Sequence, residues 1–102
     1  MLEGALKMVV GEYWRACGKF TAWPTDPVHA AAVVQEEAGE LVRACLQMTY
    51  EPHKVSREAV LLEAIQTAAM AVRFIVCFCN AEVRPSPQTP DPTDCSKGED
   101  RG

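Results

Sequence analysis

Apolar residues recur at helical spacing near the start of the chain, at Leu6, Val9, Val10, Tyr13 and Trp14. The pattern predicts a first helix from about Leu2 to Cys17, with Gly18 as its C-terminal cap. Lys19 to Thr25 then reads as a loop carrying Phe20 and Trp23. Asp26-Pro27 is a start signal: Asp26 offers a side-chain acceptor to free amides, and proline suits the first helical position. The second helix should run to about Met48 or Thr49, because Pro52 blocks simple continuation. Tyr50 to Val55 is a short connection. Ser56 is the expected cap of a third helix, Glu58 favours its first turn, and the apolar run reaches about Asn80. No segment alternates like a strand, and there is no internal repeat or Gly-rich phosphate loop. The expected fold class is all-α.

Beyond Glu82 the pattern dissolves. Pro85, Pro87, Pro90 and Pro92 alternate with polar residues, so the chain divides into a helical domain, 1–82, and a Pro-rich tail, 83–102, expected to be disordered or extended. A chain of 102 residues supports one small domain. The third helix is apolar nearly all round, more than three helices of one chain can cover. A bundle completed by a homodimer, or by a dimer of dimers, fits best. The same run is long enough to span a bilayer, but Glu63, Gln66 and Arg73 interrupt it and argue for burial among helices instead. Arg73 in such a run needs a partner, for example a carboxylate of another subunit, unless its stem snorkels to water.

Against this background the carboxylates stand out. Glu36-Glu37-Ala38-Gly39-Glu40 sits within the second helix, and its spacings of three and four place two carboxylates on one face. Glu63 and Gln66 share a face of the third helix. If the two helices pack antiparallel, Glu37, Glu40, Glu63 and Gln66 converge in an oxygen-rich site. Crowded carboxylates call for a hard divalent cation such as Mg²⁺. The plain alternative for the glutamates is a solvated helix face. Gly39 inside a helix costs about 1 kcal/mol relative to alanine, which suggests close helix packing there.

The pattern EEAGE, a gap of 22 residues and EAIQ resembles the EExxE…ExxD signature of the MazG-like nucleoside triphosphate pyrophosphohydrolases, members of the all-α NTP pyrophosphatases. The resemblance covers about half the chain, His29 to Ile75. It implies a MazG-like helical bundle that assembles through its helices, with substrate pockets near subunit interfaces. It also implies a metal-dependent reaction in which water converts a (d)NTP to (d)NMP and diphosphate, as nucleotide-pool housecleaning. Mg²⁺, or Mn²⁺, would be held by Glu37, Glu40 and Glu63. The fourth position is Gln66 where the family has Asp, a neutral carbonyl in place of a charge. That departure keeps a second expectation alive: a degenerate relative that binds nucleotide, or serves as a helical assembly module, without cleaving it. Glu36 is the nearby carboxylate that could deprotonate the attacking water.

Candidate substrate contacts are His29, Trp23, Lys54 and Arg57. Trp23 and Phe20 could stack on a base or cap the bundle core; His29 could touch a phosphate or a base, or sit at the surface. Lys54, Arg57 and Lys19 could reach phosphates, or be ordinary surface charges. A net charge of −4 gives no basic face for nucleic acid. Five cysteines, Cys17, Cys45, Cys77, Cys79 and Cys95, have no zinc or thioredoxin spacing. Their odd number, without a recognisable signal peptide, suggests reduced thiols and a cytoplasmic protein.

Overall fold

The structure is a computed structural model describing residues 1–83; the prolines and Cys95 of the tail lie outside the described residues. It is all-helical: α1 (Leu2–Lys19), α2 (Pro27–Tyr50) and α3 (Arg57–Val83), with a 3₁₀ turn, Pro52–Lys54, between α2 and α3. No strand occurs among the described residues.

The start signals operate as their residue types require. Asp26 Oδ1 accepts from the Val28 amide at 3.2 Å, and Pro27 opens α2. Ser56 Oγ accepts from the Ala59 amide at 3.0 Å at the start of α3. The stop signals were misjudged. Gly18 lies inside α1, which closes at an extended Phe20 whose amide bonds to the Ala16 carbonyl at 2.7 Å. A left-handed glycine cap is therefore not used; the turn carrying Phe20 is held from α3 instead, as described below. Helices α2 and α3 also run one to three residues further than their apolar patterns suggested.

Helix α3 is the centre of the fold: α1 and α2 each pack on it and not on one another. The α2–α3 hairpin is antiparallel, since Glu40 meets Glu63 near the turn while Ala30 shares the core with Ala69 further out. The core is small: Tyr13, Trp23, Ala30, Ala69 and Cys77, with Val9, Cys17, Val33, Met70, Val72, Phe74 and Val76 packed against it. Alanine at Ala30 and Ala69 lets the helices of the hairpin approach closely. Cys45 and Cys79 are free thiols, and Cys77 is buried in the core.

Among the described residues, Arg73 is the fully buried charge, 1% exposed. Its Nη2 donates to the carbonyl oxygens of Phe20 and, at 3.3 Å, Ala22. Its guanidinium lies over the Trp23 ring, 4.9 Å from the centroid. The partner sought for Arg73 in a second subunit is thus found in the chain's own α1–α2 loop. Carbonyl acceptors and an aromatic face replace the water lost on burial.

Much apolar surface stays uncovered. Leu61, Leu62, Ile75 and Phe78 of α3 are exposed, as are Leu6, Val10 and Trp14 of α1 and Val42 and Leu46 of α2. The stretch Arg57–Asn80 is long and apolar enough by length and composition to cross a membrane, yet only 17% of its most apolar window is buried within the chain. Gly39 is part of this open surface. A Cβ there would meet nothing within 4 Å, so close packing within the chain does not explain that glycine.

Candidate metal centre

Glu37 and Glu40 lie on adjacent turns of one face of α2, and the antiparallel hairpin brings Glu63 of α3 against them. One carboxylate oxygen from each of the three lies within 4.8 Å of the other two. Glu37 and Glu63 are half-buried and Glu40 is exposed. Gln66, also half-buried, follows Glu63 by three residues on the same helix.

The electrostatics are those of an uncompensated cluster. Burial raises the Glu37 carboxyl above its ordinary range, and the charges of Glu40, Glu63, Glu36 and Glu12 raise it further. Glu63 Oε1 is buried without a hydrogen-bond partner. A buried carboxylate oxygen left unpaired costs on the order of 1–3 kcal/mol or more. Its neighbours in the cluster are further carboxylates, which repel it. A hard cation with oxygen ligands would meet both demands, and the donor set is chemically suited to Mg²⁺ or Mn²⁺.

The other residues singled out from the sequence fall in different places. Glu36 is exposed, next to the cluster but outside it. His29 is exposed in the first turn of α2, about two turns from Glu37. Lys54 is exposed and ion-paired with Glu51 at 3.5 Å; Arg57 is exposed at the start of α3. Trp23, a candidate base-stacking residue, is 5% exposed and belongs to the core under Arg73. It lies at the level of Arg73, ten residues or about 15 Å along α3 from Glu63. Its indole is used to close the bundle, which is a correction to the stacking role. Phe20, the other aromatic of that loop, is exposed, with Lys19 Nζ 5.4 Å from its ring centroid.

Two features escaped the sequence. Glu12 of α1 contributes to the field on Glu37 while Arg15 grips it through two hydrogen bonds of 2.6 and 2.9 Å, which hold its own carboxyl below the usual range. An open cleft of about 290 Å³ also begins at Glu40 and Glu63 and continues past Arg43 and Gln47 on α2 and Ala59 and Val55 opposite. Arg43 and Gln47 follow Glu40 at three and seven residues, a helical-face spacing that was available in the sequence.

No family profile, characterised protein or solved structure matches this chain. The resemblance to the MazG-like enzymes therefore rests on the spacing of EEAGE and EAIQ in the sequence; of those residues, the structure brings Glu37, Glu40 and Glu63 together.

Proposed function

We propose that the protein is a metal-dependent nucleoside triphosphate pyrophosphohydrolase of the MazG-like type, converting (d)NTP and water to (d)NMP and diphosphate. The observation that carries this is the convergence of Glu37, Glu40 and Glu63, oxygens within 4.8 Å, with Glu63 Oε1 buried and unpaired. Exposed acidic residues are common on helices; one that buries an unpartnered oxygen beside two more carboxylates is costly unless something binds there.

In this proposal Glu37, Glu40 and Glu63 hold a divalent cation, with Gln66 as a neutral fourth donor. Such an ion neutralises phosphate oxygens and acidifies water. The chain's own tasks are to position the triphosphate along the cleft and to accept a proton. Water attacks the α-phosphorus, the bond to the bridging oxygen breaks, and its electron pair leaves with diphosphate. Glu36, exposed beside the cluster, takes the proton from the attacking water. Positioning and charge stabilisation carry such a reaction, with little covalent work for the protein.

The uncovered apolar faces of α1, α2 and α3 support assembly of the same chain into a dimer or a dimer of dimers. Such an assembly would also cover Gly39 and the α3 surface that one chain leaves open.

Diphosphate release from a panel of NTPs and dNTPs, with Mg²⁺ and then Mn²⁺, tests the reaction. Metal-dependent release that disappears in Glu37→Ala is the expected result. The Gln66→Asp variant should raise metal affinity and turnover about tenfold by restoring a fourth charge. Absence of release with every nucleotide, in both wild type and Gln66→Asp, would instead favour a degenerate nucleotide-binding or assembly module.

A further inference from the structure

The cleft that starts at the carboxylates does not end with them. Arg43 lies one helical turn, about 4.5 Å, along α2 from Glu40, and Gln47 one turn further. The facing wall is Ala59 and Val55, small or apolar, so the polar groups on that stretch come from α2. Arg43 is exposed on α2, at the edge of this cleft. Among the described residues, Arg43 forms no ion pair with Glu40 or Glu63; the ion pairs there are Arg15–Glu12 and Lys54–Glu51. The cleft therefore has a carboxylate end suited to a cation and, one turn on, a free planar donor suited to an anion. A ligand that satisfies both ends carries a metal-binding anion and a second anionic group joined to it. A phosphate chain has that form.

We propose that Arg43 binds the phosphates beyond the one that is attacked, and so makes the site select a triphosphate chain over a lone phosphate. This rests on the assignment of Glu37, Glu40 and Glu63 as a cation site. With the cation at the carboxylates, the chain runs along α2 toward the hairpin turn, and the Arg43 fork makes paired charge-assisted hydrogen bonds to its terminal oxygens. Gln47 adds an amide donor. When the bond to the α-phosphorus breaks, charge builds on the departing diphosphate, where the guanidinium stabilises it.

Two titrations of the full chain test this. The first uses Mn²⁺ alone; the second uses inorganic tripolyphosphate, and separately orthophosphate, in saturating Mg²⁺. Arg43→Ala should weaken tripolyphosphate binding about tenfold or more, with Arg43→Lys recovering part of it. Orthophosphate binding should change little. Mn²⁺ binding in the absence of phosphate should be unchanged or tighter, because a cation near the carboxylates has been removed. Equal tripolyphosphate affinity in wild type and Arg43→Ala, with Mn²⁺ binding intact, overturns the role of Arg43 and leaves the metal centre standing. A parallel fall in Mn²⁺ and tripolyphosphate binding also overturns it, by showing a structural effect. A wild-type chain that binds Mn²⁺ but no tripolyphosphate does the same, and one that binds neither overturns the metal centre with it.

Discussion

Glu63→Gln should abolish metal-dependent diphosphate release while making the metal-free protein more stable. The loss should be on the order of a hundredfold or more, as when one preorganised charge-stabilising group is removed. The gain follows from the like charges that Glu63 shares with Glu37 and Glu40. Relief of like-charge pairs on helices is worth a few tenths of a kcal/mol each, so a rise in Tm of roughly 2–4 °C is expected for a domain of this size. Opposite signs for stability and activity are the mark of a site selected for binding. A solvated helix face would give the small stability gain without any loss of metal-dependent activity. The pH dependence has the matching sign. Because the folded Glu37 carboxyl titrates above its ordinary value of 4.5, the folded state holds its proton more tightly than the unfolded chain. Its contribution to stability is complete below that ordinary value and is lost as pH rises through the raised one. Thermal melts of metal-free wild type should show this loss, and Mg²⁺ should reverse it at neutral pH in wild type but not in Glu63→Gln.

Arg73→Ala should be the most destabilising single change in the described fold. It strips donors from the Phe20 and Ala22 carbonyls, removes the cation from the Trp23 face and leaves a hole beside α3. Each lost charge-assisted hydrogen bond costs about 1.5–3 kcal/mol, and the cavity left by the buried side chain adds to that. A total of about 3–5 kcal/mol consumes a large part of the stability of a small domain. Tm should fall by on the order of 15–30 °C, as measured by thermal melts followed by tryptophan fluorescence. A fall of only a few degrees would mean that the α1–α2 loop is not pinned by Arg73. Arg73→Lys should be intermediate, since an ammonium keeps the charge but loses the planar fork.

Arg73 also illustrates where sequence reasoning stopped. A buried arginine announces that it needs partners, but backbone carbonyls carry no residue identity, so the sequence pointed only to a carboxylate of another subunit or to a stem that snorkels to water. The same blindness left Trp23 open between stacking on a base and capping the core, a choice decided only once the arginine that covers it is located. Gly18 and Gly39 failed for a related reason. A glycine permits a left-handed cap or a close approach without requiring either, and the neighbours decide. The helix starts were legible because Asp26-Pro27 and Ser56 satisfy amides within three residues of themselves. The carboxylate centre was legible because helical spacing fixes which glutamates share a face and a short connection forces α2 and α3 antiparallel. The cleft was not, since its extent depends on how far the hairpin opens past Arg43 and Gln47.

The central claim is that Glu37, Glu40 and Glu63 bind a divalent cation. Titrating Mn²⁺ into the protein at neutral pH, with free Mn²⁺ followed by electron paramagnetic resonance, tests it directly. The account predicts saturable binding of one ion per chain in wild type, lost in Glu63→Gln and displaced by Mg²⁺. Weak, unsaturable binding that is identical in wild type and Glu63→Gln would contradict it.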